Sequence, residues 1–135
     1  MKTTLKTDIT VKDICEGFVY NEYEGKGLFG LSGKLTIQPE YQRNYIYISD
    51  GGKKEIAVID SVLKSYPIGL IYCNKVSDDK FEVRDGQQRI TSLGRFLSDK
   101  FAIKDDDGNE QYFSGMAKNK KERILKTGLL IYECE

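Results

Sequence analysis

The residues best equipped for chemistry lie together in Phe81-Glu82-Val83-Arg84-Asp85-Gly86-Gln87-Gln88-Arg89-Ile90-Thr91-Ser92-Leu93. Residues 81–84 read as a short strand, and Ile90, Leu93, Gly94 and Leu97 recur at helical spacing, so Asp85 to Arg89 falls on a tight polar turn between the two. A helix begins with unpaired backbone N–H groups and a partial positive charge, which suits an anion. Gly86 carries no Cβ and lets a ligand come close to the backbone. Arg89, in the first turn, has a planar guanidinium able to take a phosphate with two hydrogen bonds. Asp85 offers a carboxylate for Mg²⁺ or for orienting an attacking water, and it equally suits the N-cap of the helix. Gln87 and Gln88 offer amides to phosphate or water. Their plainer reading is as ordinary first-turn residues, and that of Arg89 is a surface ion pair.

A second polar cluster, Gln38-Pro39-Glu40-Tyr41-Gln42-Arg43-Asn44-Tyr45, is rich in aromatics. Arg43 could reach across a cleft to the same anion, or form an ion pair with Asp85 or Glu40. Tyr41, Gln42 and Tyr45 could stack on or bond to a base, or pack as strand-end tyrosines commonly do. A third cluster is basic: Lys118, Lys120, Lys121, Arg123 and Lys126 lie on one predicted helix, as DNA-phosphate contacts or as a solvated face.

These clusters need a scaffold, and the chain reads as mixed α and β. Residues 1–9 look extended and weakly specified. Thr10 to Asp13 has the outline of a helix start, with Val11, Ile14 and Cys15 facing a core. Phe18 to Tyr23 suggests a strand, and the glycine-rich Glu24 to Gly33 a flexible loop or hairpin tip. Leu35-Thr36-Ile37 is a short strand. Lys53 to Ser65 is the clearest helix, with Ile56, Ile59, Val62 and Leu63 at helical spacing. Ile68 to Val76 and Lys80 to Arg84 form a hairpin about Ser77-Asp78-Asp79. Beyond the motif helix come strands near Phe101–Ile103 and Glu110–Phe113 around an aspartate-rich turn, the basic helix Met116–Thr127, and a last apolar strand, Leu129–Tyr132. The turn Asp105–Asn109 lacks the spacing and the glutamate of a calcium loop. The expected class is α+β with one central mixed sheet.

The 135 residues suffice for one domain with a core, and 39% hydrophobic with 31% charged residues describes a folded domain. Twenty-one basic residues balance 21 acidic ones, so any nucleic-acid contact must come from a local patch. No apolar run is long enough to span a bilayer and no signal peptide is visible, so no membrane partner is expected. Three scattered cysteines fit a reducing, cytoplasmic setting, as buried apolar fillers. Histidine is absent, which excludes histidine-based triads, metal sites and nucleases.

The blocks Gln38–Arg43 and Asp85–Leu93, with the helix and hairpin between them, resemble the DGQQR-motif family. These are the GmrS-like N-terminal domains of bacterial restriction and phage-defence proteins, related to the ParB/sulfiredoxin nucleotide-binding fold. Residues 39–43 match the family's P-x-Y-Q-R block and residues 85–93 its D-G-Q-Q-R-[IL]-T-[ST]-L block. The resemblance spans about Val11 to Tyr132. It implies a ParB/sulfiredoxin-like mixed sheet with helices packed around it, over a single domain, residues 1–135. It also implies nucleoside triphosphate binding and hydrolysis with Mg²⁺. Asp85, Gln87, Gln88 and Arg89 would be catalytic and Asp85 the metal ligand. Tyr41, Gln42, Arg43, Gly86, Arg89 and Thr91 would bind the nucleotide. Triphosphate turnover would regulate cleavage of DNA, often modified DNA, by a C-terminal nuclease outside this chain. An apolar strand just before the end leads to the same expectation, the N-terminal part of a longer protein. DNA would be met through the full-length protein, and a homodimer is one assembly the resemblance allows.

The chain departs from relatives in three places. Gln87 and Gln88 stand where the sulfiredoxin branch has its catalytic cysteine, which argues against peroxiredoxin repair. Tyr45-Ile46-Tyr47 stands where many relatives carry a tryptophan. The glycine-rich stretch before Leu35 is longer than in the shortest relatives. Two rival readings remain: a module that recognises DNA phosphates or a DNA modification without chemistry of its own, and a structural unit whose polar turn only caps a helix.

Overall fold

The computed structural model describes residues 3–38, 45, 47 and 50–135. Its elements are β1 (Thr3–Thr10), α1 (Val11–Cys15), β2 (Val19–Asn21), β3 (Lys26–Gly30), β4 (Leu35–Thr36), α2 (Lys53–Leu63), β5 (Leu70–Ser77), β6 (Lys80–Asp85), α3 (Gln87–Leu97), β7 (Ile103–Lys104), β8 (Glu110–Gln111), α4 (Lys118–Leu125) and β9 (Gly128–Cys134). Seven strands form one sheet in the order β1-β9-β5-β6-β4-β3-β2, and β7 and β8 pair separately. The β5–β9 and β4–β6 pairs are parallel; the other pairs are antiparallel. The expected α+β class with a mixed sheet is what the chain adopts.

Alternation along the strands sorts the two faces of the sheet. Ile71 and Cys73 of β5, Val83 of β6, and Leu129 and Ile131 of β9 are buried, whereas Tyr72 and Leu130 between them are exposed. The buried set packs in one core with Val11 and Ile14 of α1, Ile59 and Val62 of α2, Ile90, Leu93 and Phe96 of α3, and Ile124 of α4. Helix α3 lies deepest: every residue from Ile90 to Phe96 is buried. The start of α1 follows its sequence signal, with Thr10 and Asp13 forming a reciprocal capping box.

Two stretches are more ordered than their composition suggests. Residues 3–10 form an edge strand paired to β9. Within Glu24–Gly33, read as a flexible loop or hairpin tip, Glu24 and Gly25 lie in the turn of the β2–β3 hairpin, and the rest forms β3 and a 3₁₀ turn at Leu31–Gly33. The glycine at position 27 serves close packing here: a Cβ would collide with the Thr91 side chain.

Candidate functional site

Strand β6 ends at Asp85 and α3 starts at Gln87, so the motif occupies the strand–turn–helix junction expected of it. Gly86 is the N-cap, with φ 110°, and no side chain caps the helix. Asp85 therefore does not act as the N-cap. Its side chain is 70% exposed, and its Oδ1 lies 3.9 Å from Arg89 Nη2.

Arg89 is held firmly. Its Nη1 donates to the Ile68 carbonyl at 2.6 Å and its Nη2 to the Leu70 carbonyl at 2.9 Å. Both bonds fasten α3 to the chain entering β5. Two glycines clear the room for them. A Cβ at Gly69 would stand 2.5 Å from Nη1, and one at Gly86 3.0 Å from Ile71 and 3.4 Å from Nη2. The missing Cβ of Gly86 also leaves room for this guanidinium. A guanidinium has five N–H donors, so two carbonyl bonds orient it and leave others for an anion. Arg89 lines an open cleft of about 270 Å³ with Tyr47, Lys54, Ser61 and Ile68.

The glutamines do different work. Gln87 Nε2 donates to the Val83 and Arg84 carbonyls at 3.2 and 3.0 Å, bracing the end of β6. Gln88 is half-buried, and its carbonyl accepts from Ser92 Oγ at 2.9 Å. Thr91 is fully buried, and its Oγ1 donates to Gln38 Oε1 at 3.0 Å, an atom that also accepts from the Gly27 N–H at 2.7 Å. Its hydroxyl thus faces Gln38.

Tyr41, Gln42 and Arg43 lie outside the described residues. The residues flanking them are tied to the motif helix. Gln38, buried, is joined to Thr91 as described; Tyr45, buried, has its hydroxyl 2.8 Å from Ser92 Oγ. The neighbours Thr91 and Ser92 of the first block thus hold the two flanks of the second. The Tyr45 hydroxyl also donates to Glu55 Oε1 at 2.8 Å, and Arg95 Nε donates to the same oxygen at 3.2 Å. The Arg95 guanidinium lies 4.8 Å from the Tyr20 ring centroid and 5.4 Å from that of Tyr45. Burial pushes the Tyr45 phenol well above its ordinary value, keeping it a neutral donor. The ion pair Glu55–Arg95 is buried on both sides, which favours one arrangement of α2, α3 and Tyr45 over others.

Sequence reasoning missed Lys54, Ser61 and Tyr47 as neighbours of Arg89. The signal was present in α2, whose apolar stripe turns Ile59 and Val62 inward and leaves Lys54 and Ser61, seven residues apart, on another face. The basic residues of α4 do not form one uniform patch. Lys118 and Lys120 are exposed. Lys121 lies 5.7 Å from the Phe113 ring centroid, Arg123 donates to the Leu63 carbonyl at 3.4 Å, and Lys126 pairs with Glu122. Cys15 and Cys73 are buried as expected; Cys134 is half-buried.

Asp85 is one exposed carboxylate, and among the described residues no three metal-ligating side chains cluster. That donor set fits a Mg²⁺ arriving on phosphate oxygens and completed by water, and does not fit a resident ion held by protein alone.

Fold and junction together define an α+β domain with a polar strand–turn–helix site beside a basic cleft. The family described as GmrSD restriction endonuclease, N-terminal domain, matches residues 26–132, most of the chain and both sequence blocks. The chain belongs to this family. No curated protein and no solved structure gives a match. Among the described residues no helix is long and apolar enough to cross a membrane.

Proposed function

We propose that the cleft between α2 and the start of α3 binds the phosphates of a nucleoside triphosphate with Mg²⁺, and that the domain hydrolyses it to regulate DNA cleavage. The observation that carries this reading is the convergence of Arg89, held on two carbonyls, and Lys54 on one open cleft beside the Asp85 carboxylate. A prefixed guanidinium stabilises phosphate charge without reorganising as it does so. Lys54 adds a second positive charge and Ser61 a hydroxyl donor. Asp85 would hold Mg²⁺, which supplies charge neutralisation on the phosphate oxygens. Gln88 and the Tyr41-Gln42-Arg43 block are the further groups assigned to the nucleotide.

In this reading the fold is of the ParB/sulfiredoxin-like kind, and the protein works in the cytoplasm in restriction or phage defence. Its family membership supports that role. The chain has no histidine, so a histidine-dependent nuclease step is assigned to another part of the protein or its assembly. DNA, including modified DNA, is the partner of that whole. Lys118 and Lys120, exposed on α4, favour a second reading in which this domain also touches DNA phosphates.

Titration of a fluorescent ATP analogue, with and without Mg²⁺, tests the first reading. Lys54→Ala and Arg89→Ala are expected to weaken binding by about tenfold or more, as loss of a charge-assisted bond does. No binding by the wild-type protein, or binding by both variants as tight as by the wild type, refutes it. For the second reading, Lys118→Ala/Lys120→Ala should lower DNA affinity and its salt slope; an unchanged slope refutes it.

A further inference from the structure

The face of the sheet turned away from the helices carries a feature the proposed triphosphate site does not use. Tyr72 of β5 and Tyr132 of β9 are register neighbours, and their rings lie nearly parallel, 18° apart with centroids 5.5 Å apart. The row continues to Leu5 on one side and Asp85 on the other. Tyr72 is 38% exposed, and Leu5 and Leu130, which flank Tyr132 across and along β9, are exposed as well. A stacked aromatic pair with one exposed member is a stack that a further planar ring can extend.

A bulge completes the site. Tyr72 pairs with Asp85 while Cys73 pairs with Val83, so Arg84 is the extra residue on β6. Arg84 and Asp85 consequently both border one cleft of about 400 Å³ with Tyr72, Asn74 and Cys134. The charges around this cleft are unequal in their commitments. Asp85 faces Arg89 at 3.9 Å, and Glu135 faces Lys75 at 3.8 Å. Among the described residues Arg84 has no ion-pair partner. The cleft thus offers one tyrosine ring, Tyr72, a guanidinium with no ion-pair partner among the described residues and a side-chain amide, Asn74, that both donates and accepts.

We infer that this open-face cleft is a binding site for an unpaired nucleobase with its phosphate: the base stacks on Tyr72, Arg84 takes the phosphate, and Asn74 meets the base edge. A base in a duplex has both π-faces covered, so the site selects single strands or free nucleotides over duplex. The inference stands apart from the Lys54–Arg89 cleft, and failure of triphosphate binding there leaves it untouched.

Fluorescence anisotropy with a labelled single-stranded 12-mer, and competition by thymidine monophosphate and by a duplex of the same sequence, tests it. The wild-type protein is expected to bind the single strand more tightly than the duplex. Tyr72→Ala should weaken binding roughly five- to a hundredfold, the range for one lost base stack, while Tyr72→Phe, which keeps the ring, stays within about twofold. Arg84→Ala should lower the salt slope by about 0.7, one phosphate contact on a single strand. Tyr72→Phe and Arg84→Ala should unfold at the wild-type temperature, since the first keeps the stack on Tyr132 and Arg84 is exposed. Tyr72→Ala loses that stack and should unfold a few degrees lower while staying folded at the assay temperature. Competition by the mononucleotide at concentrations near those of the 12-mer identifies a free nucleotide as the source; competition only at far higher concentration identifies a nucleic-acid strand. Binding of neither probe by the wild-type protein, or undiminished binding by Tyr72→Ala and Arg84→Ala, overturns the inference.

Discussion

Gly69→Ala should disturb the candidate site without touching any residue of the motif. Gly69 has φ 90°, and a Cβ there would stand 2.5 Å from Arg89 Nη1. Two costs combine. A side chain at a left-handed backbone position carries strain of about 1–3 kcal/mol. The methyl also drives the guanidinium off the Ile68 carbonyl, a bond to a charged donor worth about 1.5–3 kcal/mol. Water recovers part of that second cost, because the Arg89 side chain is 20% exposed, leaving about 1–2 kcal/mol. Gly108 provides the matched control: φ is 79° and nothing lies within 4 Å of the point a methyl would occupy, so Gly108→Ala carries the strain alone. Urea unfolding should therefore show Gly69→Ala about 1–2 kcal/mol less stable than Gly108→Ala, with equal m-values. Nucleotide affinity should fall about tenfold in Gly69→Ala and stay unchanged in Gly108→Ala. Equal stability of the two variants would show that Arg89 is not confined by Gly69. Intact nucleotide affinity alongside the expected stability difference would detach the guanidinium from the ligand.

Three further outcomes are expected. Glu55→Ala leaves the Arg95 charge buried without its partner and should cost about 3–5 kcal/mol, while the double variant Glu55→Met/Arg95→Met should cost less; the opposite order in urea unfolding would contradict the buried-pair argument. Tyr45 has its pKa raised by burial, so its contribution is full below the ordinary tyrosine value near 10 and is lost as pH rises above it; stability of Tyr45→Phe should fall less steeply than wild type above about pH 10, and parallel curves would refute this. Burial pushes the Cys15 and Cys73 thiols up to about 12, so a thiol reagent at pH 8 should label Cys134 first and the other two only on unfolding; peptide mass spectrometry showing equal labelling would contradict their placement.

The helices and the β5–β6 hairpin were legible because period and punctuation agree in them. Ile59 and Val62 recur at helical spacing in α2, and Ser77-Asp78-Asp79 separates two alternating runs. The glycine-rich stretch was not legible as a strand. Glycine marks both flexible loops and close approach, and the distinction at Gly27 depends on Thr91, 64 positions away in the chain. The location of the motif at a strand–helix junction was equally plain from the pattern. The partners of Arg89 were not, because two backbone carbonyls and a glycine 20 residues earlier leave no residue-type signature at the motif itself.

The motif divides its labour between scaffold and site. Gln87 braces the end of β6, Gly86 makes room for a guanidinium, and Thr91 and Ser92 grip the flanks of the second block. Asp85 alone is largely exposed; it lines one cleft with Arg84 and Tyr72 and faces Arg89, which lines the other. A substitution at Asp85 would change the charge of both, so it cannot tell them apart. Lys54 belongs to the first cleft only and Tyr72 to the second only. If both clefts bind, Lys54→Ala should weaken triphosphate and spare the single strand, and Tyr72→Ala should do the reverse. A parallel loss of both ligands in either variant would mean that a single site serves them.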